Sequence, residues 1–183
     1  MQQEILRLTG GQELADIVYD ADTIGRRVTE LGSEIGDYYQ TGELLLVGLL
    51  KGSFMFLSDL VRAIPRPLTL DFVAAASYGS GTKSSGQVRL LYDPATDVEG
   101  KHVLLVEDIV DSGRTLNWLV RMFQTRDPAS LEVCSLLHKR IAEPLELEPR
   151  FLGFEAPELF LVGYGLDYAE QYRHLPFIAS LKE

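Results

Sequence analysis

The sequence predicts an α/β fold: an open, mainly parallel, twisted sheet with helices on both faces. Three observations lead there. Short unbroken apolar runs, such as LLLVGLL at 44–50 and the apolar part of KHVLLVED at 101–108, have no polar face and read as strands buried on both sides. Between them lie stretches whose apolar residues recur every three or four positions, the spacing of one helix face. Strands alternating with such helices build a parallel sheet. A length of 183 residues, 46% of them apolar and without repeats, suits one domain with a full core.

In chain order, ELADIVYD (13–20) is a short apolar segment. Residues 22–40 carry Ile24, Val28, Leu31, Ile35 and Tyr38, which predicts an amphipathic helix with Asp22 at its N-cap. The run at 44–50 is a buried strand, and 53–64 a helix stopped by Pro65 and Pro67. LTLDFVAAAS (68–77) is a second strand, followed by the glycine- and serine-rich YGSGTKSSG (78–86), which reads as a mobile loop. QVRLLYD (87–93) alternates like a half-exposed strand. Strands are further predicted at 101–108, 131–137 and 158–165, with a helix over 115–124 and a tail at the C-terminus.

Composition narrows the function. The net charge is −10, whereas long nucleic acids are recognised first by neutralising phosphates on a basic face. A nucleic-acid partner is therefore not expected, although a few local donors can still hold a small anion. No stretch approaches the roughly 18 apolar residues of a membrane span, and MQQEILRLTG lacks the basic-then-apolar order of a signal peptide. The single cysteine, Cys134, lies in an apolar run and reads as a buried small hydrophobe. A cytoplasmic setting without a membrane partner is the expectation. His102, His138 and His174 lack metal-ligand spacing and read as structural or surface groups. Trp118 and Phe123 have core spacing, and Asp71, in mid-strand, is a buried polar group without an assigned partner.

The most informative stretch is LLVEDIVDSGRTL, 104–116. Glu107 and Asp108 close a buried strand, and a helix opens near Ser112–Thr115. A helix start presents unpaired N–H groups and a partial charge of roughly +0.5, Gly113 lets a ligand approach, and the hydroxyls of Ser112 and Thr115 add donors. Carboxylates beside such a phosphate cradle make sense if the ligand is a phosphate with hydroxyls a few ångströms away, as in ribose 5-phosphate. The residues alone leave two other roles open: metal-holding or Walker-B-like acids, and plain helix-capping acids. A phosphate-binding GxxxxGK[ST] loop is absent, since GSGTKSSG has Thr82 before Lys83, and no GxGxxG occurs.

VEDIVDSGRTL resembles the phosphoribosyl-pyrophosphate motif of the type I phosphoribosyltransferases. Together with LLVGLLKGSFMFLSDLVRAI, SYGSGTKSSGQVRLLYD, LLHKR and GFEAPELFLVGYGLDYAEQYRHLP, it makes nearly the whole chain similar to the hypoxanthine-guanine branch of that family. The resemblance implies one domain over 1–183, with a core of about 22–165, a hood from the N-terminal segment and about 139–183, and a mobile lid over about 77–90 that starts at Ser77 and Tyr78. It implies a purine-salvage enzyme that moves the 5-phosphoribosyl group from phosphoribosyl pyrophosphate to N9 of hypoxanthine or guanine. The products are IMP or GMP and pyrophosphate.

The same resemblance assigns roles. Glu107 and Asp108 take the ribose hydroxyls, and Asp111, Ser112, Gly113, Arg114 and Thr115 the 5-phosphate. Asp111 is also the acid/base facing purine N7. Lys51 and Gly52 form a pyrophosphate loop entered through a cis Leu50–Lys51 peptide, and Arg173 joins them on the pyrophosphate. Lys139 donates to the purine 6-oxo group, Phe160 stacks on the base, and the Leu161 carbonyl reads its edge. Asp167 is a Mg²⁺ ligand, with Glu107 and Asp108 as further candidates. A homodimer or homotetramer is implied. Ser112 and Arg114 stand where threonine and lysine are frequent in relatives, swaps that keep a hydroxyl and a positive charge. Two competitors are a nucleotide-sensing RNA-binding regulator on the same fold, disfavoured by the acidic surface and by Asp111 and Arg173, and an adenine or orotate transferase, disfavoured by LLHKR and FLVGYGLDY.

Overall fold

The computed structural model describes residues 7–10, 14–78, 87–140 and 144–181. The predicted lid loop, apart from the backbone of Ser77 and Tyr78 and the strand at its far end, lies outside them.

Six strands form the main sheet: β2 (Leu44–Leu50), β3 (Thr69–Tyr78), β4 (Gln87–Tyr92), β5 (His102–Val110), β6 (Ser130–His138) and β7 (Phe151–Glu155). Their spatial order is β4-β3-β2-β5-β6-β7, and every pairing is parallel except β3 with β4. The chain passes from β2 to β3 on one side, then crosses back to place β5 on the other. The carboxyl ends of β2 and β5 thus flank the switch in strand order, where open α/β sheets bind ligands.

Both faces of the sheet are covered. Strand alternation sends Leu44, Leu46, Leu104, Val106, Cys134 and Leu136 to one face, against α1 (Ala21–Tyr38) and α2 (Phe54–Ala63). Leu45, Val47, Val103, Leu105 and Val133 go to the other, against α3 (Arg114–Gln124) through Leu116, Leu119, Val120 and Phe123. Burial pushes the Cys134 thiol well above its usual range, which leaves it an inert core group.

A second, three-stranded antiparallel sheet has the order β1-β9-β8, from Leu14–Tyr19, Ile178–Leu181 and Leu161–Val162. It differs from the sequence expectation in two ways. The run at 158–165 yields only the two-residue β8, because Gly163, Tyr164 and Gly165 all turn to positive φ. The predicted tail contributes β9. Phe151–Glu155, which falls in the stretch expected to form the hood, is instead the edge strand of the main sheet. Its short polar-flanked FLGFE carries little strand signal on its own.

Other boundaries move for local reasons. The cap of α1 is Asp20, not Asp22: its extended backbone lets Oδ1 accept from the Thr23 N–H at 2.7 Å, while Asp22 sits in the first turn. β5 continues past the acid pair to Val110, since Ile109 and Val110 keep pairing with Leu137 and His138. Asp71 accepts from the backbone N–H groups of Phe72 and Thr96 and so pins the connection after β4. The His102 ring meets the Ser130 hydroxyl at 2.7 Å, and His174 meets the Leu8 carbonyl at 2.9 Å, both structural contacts.

Helices α1 and α2 touch backbone to backbone at Gly32, where an added Cβ would lie 2.5 Å from both Cβ and O of Ala63. Gly32→Ala sets a helix-propensity gain of about 1 kcal/mol against about 1–3 kcal/mol of overpacking in a fixed contact. The clash wins, so urea unfolding should show a net loss of stability. A variant as stable as the parent would mean the helices are not in contact there.

Candidate active site

The site begins where β5 ends. Strand alternation sends Glu107 and Asp108 to opposite faces of the sheet. Glu107 is only 5% exposed and lines a cavity of about 410 Å³ with Leu49, Ala75, Ala76 and the turn after β5. Asp108 turns towards α2 and lies against the Lys51–Gly52 loop: a Cβ on Gly52 would sit 1.8 Å from Asp108 Oδ2. Only glycine allows that approach.

Burial is the main influence on both acids. It raises the Glu107 carboxyl well above the usual carboxylate range, with a further push from Asp108. Asp108 is raised to about 6, by burial first; backbone N–H groups and Arg173 pull it down, and Asp167 pushes it up.

The turn Asp111–Gly113 brings the chain straight into α3. Its N-cap is Gly113 at φ +71, which has no side chain to cap the helix, and Asn117 N–H donates to the Gly113 carbonyl at 2.8 Å. Gly113 is buried, Ser112 and Arg114 are exposed, and Thr115 is half-buried. Asp111, Ser112, Gly113 and Thr115 line the same cavity as Glu107. A helix start thus opens into a cavity that also holds a buried acid.

Lys139 reaches this turn from the neighbouring strand. Its N–H donates to the Val110 carbonyl at 3.0 Å, and its ammonium stands 3.3 Å from Asp111 Oδ1. The β5–β6 register, with Val110 opposite His138, makes the pair neighbours. Phe160 is 55% exposed and meets Tyr168 edge-on at 5.6 Å between ring centres. Leu181 N–H donates to the Phe160 carbonyl and Leu161 pairs with Ser180, so ladder alternation turns the Leu161 carbonyl towards the open edge of the small sheet.

The remaining predicted residues gather on the Asp108 side. The Leu50–Lys51 peptide is cis. Lys51 pairs with Glu170 at 3.0 Å, and Arg173 pairs with Asp167 at 2.8 Å and Glu170 at 3.3 Å. The second Asp167 oxygen accepts from the Glu170 N–H at 2.8 Å. Glu170 is therefore a bridge between the two cations that sequence reasoning did not single out, although it lies between Asp167 and Arg173 in the quoted segment. Contact with Lys51 first, then with Arg173, holds its carboxyl below the usual range. Glu170 is exposed and its ion pairs are screened by water, so an incoming polyanion can replace the carboxylate. The side chains of Ser77 and Tyr78 lie outside the described residues.

Among the described residues no three His, Cys, Asp or Glu side chains converge as a protein-only metal cage, and no helix is long and apolar enough to cross a membrane.

The sequence matches the family model described as a phosphoribosyl transferase domain over residues 15–169. It is 49% identical over 175 residues to the hypoxanthine-guanine phosphoribosyltransferase of Mycobacterium avium, covering 92% of this chain and 86% of that protein. Identity to the Bacillus subtilis hypoxanthine-guanine phosphoribosyltransferase is 42% over 170 residues, covering 93% and 94%. The fold is similar to a solved hypoxanthine phosphoribosyltransferase from Staphylococcus aureus, with a TM-score of 0.88, 40% identity and 92% of each chain covered. It is also similar to a Trypanosoma cruzi hypoxanthine phosphoribosyl transferase solved to examine how its C-terminal region affects oligomeric state and activity, with a TM-score of 0.86, 41% identity and 92% of each chain covered. Sequence, fold and the helix-tip cavity agree: the chain belongs to the phosphoribosyltransferase family, in its hypoxanthine-guanine branch.

Proposed function

We propose that this phosphoribosyltransferase moves the 5-phosphoribosyl group of phosphoribosyl pyrophosphate to N9 of hypoxanthine or guanine, releasing pyrophosphate and forming IMP or GMP. The observation that carries the residue assignment is the shared cavity of Glu107 and the start of α3. A sugar phosphate suits it: amides and hydroxyls of Ser112–Thr115 for the 5-phosphate, the carboxylates of Glu107 and Asp108 for the sugar hydroxyls. Lys51, Gly52 and Arg173 then face the pyrophosphate, taking it in exchange for Glu170.

Asp167 is the residue to hold Mg²⁺. Magnesium keeps water and substrate oxygens around it, so one carboxylate with Asp108 nearby suffices without a cage. The upward push that Asp167 gives the Asp108 carboxyl fits a cation at this position. When bound, Mg²⁺ would neutralise charge on the departing oxygens. Positive charge builds on the sugar as the leaving group departs, in an oxocarbenium-like transition state that the neighbouring carboxylates stabilise.

On the base side, Asp111 exchanges the N7 proton as N9 attacks, and Lys139 donates to the 6-oxo group. The two already face each other at 3.3 Å, so a purine edge presenting N7 and O6 would bridge them. Adenine would leave the Lys139 donor without an acceptor, an effect of about tenfold to a hundredfold. Phe160 provides the stacking face and Leu161 its outward carbonyl. The small sheet with the C-terminal segment forms the hood of a single-domain enzyme, and residues 77–90, beginning at Ser77 and Tyr78, the lid that excludes water. A cytoplasmic homodimer or homotetramer completes the proposal.

With phosphoribosyl pyrophosphate in excess, parallel assays of hypoxanthine, guanine, xanthine and adenine should show turnover of 6-oxopurines and rejection of adenine. In the same assays Asp111→Asn should lower kcat by about 10²–10⁴-fold while still binding nucleotide. Normal turnover by Asp111→Asn removes the acid/base assignment, and turnover of adenine alone removes the function.

The raised carboxyls also set a pH dependence of stability. The unfolded Asp108 loses its proton near its ordinary value of 3.8, before the folded one does near 6. The unfolded chain therefore gains most as pH rises between these values. Asp108 depresses stability progressively from about pH 4 to 6 and no further above that. Urea midpoints of Asp108→Asn should rise relative to the ligand-free parent as pH goes from about 4 to 6; a difference that stays constant across this range would contradict the desolvation of this carboxyl.

A further inference from the structure

The turn at 163–167 joins β8 to Asp167 with three successive left-handed residues: Gly163 at φ +99, Tyr164 at +49 and Gly165 at +101. Glycine adopts this region freely, but tyrosine does so only where its surroundings hold it. Tyr164 is held twice. Its N–H donates to the Leu175 carbonyl at 2.8 Å, and its buried phenol donates to Asp59 Oδ2 at 2.5 Å. Asp59 lies on α2, the helix that leaves the Lys51–Gly52 loop, and its other oxygen pairs with Arg62.

The next residue is in backbone contact with that loop. A Cβ on Gly165 would be 2.1 Å from the Gly52 carbonyl oxygen. Gly165 is also bound to Arg173 both ways: its N–H donates to the Arg173 carbonyl at 2.9 Å, and its carbonyl accepts from the Arg173 guanidinium at 2.8 Å. One turn thus touches Gly52, orients Arg173 and leads into Asp167, and its tie to α2 is the phenol–carboxylate bond.

We infer that Tyr164 and Asp59 are positioning residues for the pyrophosphate end of the substrate: their hydrogen bond sets the spacing between the Lys51–Gly52 loop and the turn that carries Asp167 and aligns Arg173. The inference rests on the assignment of Lys51, Gly52 and Arg173 to pyrophosphate made above. Neither side chain lines the helix-tip cavity, and the tyrosine ring would pack equally well as phenylalanine.

The test is steady-state kinetics of Tyr164→Phe, Asp59→Asn and Arg173→Ala, varying phosphoribosyl pyrophosphate and hypoxanthine separately, with thermal unfolding of each variant. Tyr164→Phe should raise KM for phosphoribosyl pyrophosphate roughly tenfold, the order of one hydrogen bond to a charged group, while KM for hypoxanthine moves less than about twofold. Asp59→Asn keeps an acceptor for the phenol and should stay within about threefold of the parent. The inference is overturned if Tyr164→Phe leaves KM for phosphoribosyl pyrophosphate unchanged, or if both KM values and kcat worsen together in step with thermal stability. Arg173→Ala separates the two layers: impaired Arg173→Ala beside a normal Tyr164→Phe sinks only the tether, whereas an unchanged Arg173→Ala sinks the pyrophosphate assignment with it.

Discussion

Two adjacent carboxylates at the end of a parallel strand, Glu107 buried and Asp108 half-buried, are the constraint around which this molecule is arranged. Removing an ionised carboxyl from water is unfavourable unless donors or cations compensate. Glu107 and Asp108 lack enough of either in the ligand-free protein, and both are pushed towards the protonated form. A core strand has no structural use for such groups. In the proposed function they are resolved by a ligand that brings hydroxyl donors and a cation to this strand end, which is the chemistry of a sugar pyrophosphate.

The fold supplies that space by topology. Placing β5 beside β2, after the chain has already gone from β2 to β3, leaves a crevice between strand ends, and the short turn into α3 brings a helix start to its rim. Alternation along β5 then divides the work between the faces: Glu107 with the helix-tip cavity, Asp108 with the loop between β2 and α2. The close approaches on the second face need small residues. Gly52 accommodates the Asp108 carboxylate, and Gly165 accommodates the Gly52 carbonyl. A strand end and two loops distant in sequence are stacked in this way.

Much of this was legible in the sequence, because the central strands β2, β5 and β6 are apolar runs and the helices have a clean period. The stretch at 104–116 pointed to the candidate site through its mismatch of charge and burial, and the resemblance of five segments to one family supplied the expected roles of the other residues. The missed features share a physical origin. β7 and β9 are short, and their strand character comes from partners elsewhere in the chain: β6 for Phe151–Glu155, β1 and β8 for Ile178–Leu181. At α1, Asp20 and Asp22 are both acceptable caps by type, and only backbone geometry selects Asp20. The division of Glu107 and Asp108 between two faces was available from strand periodicity alone. The bridging role of Glu170 was not, since it depends on a contact with Lys51 across 119 positions.

Everything turns on whether the start of α3 holds the sugar phosphate while the β5 acids hold its hydroxyls. A crystal structure with ribose 5-phosphate bound addresses this most directly. The account predicts phosphate oxygens about 2.7–3.2 Å from backbone N–H groups within residues 112–115, with the sugar hydroxyls turned to Glu107 and Asp108. A phosphate seated instead between Lys51 and Arg173, with the helix start left to solvent, would contradict it.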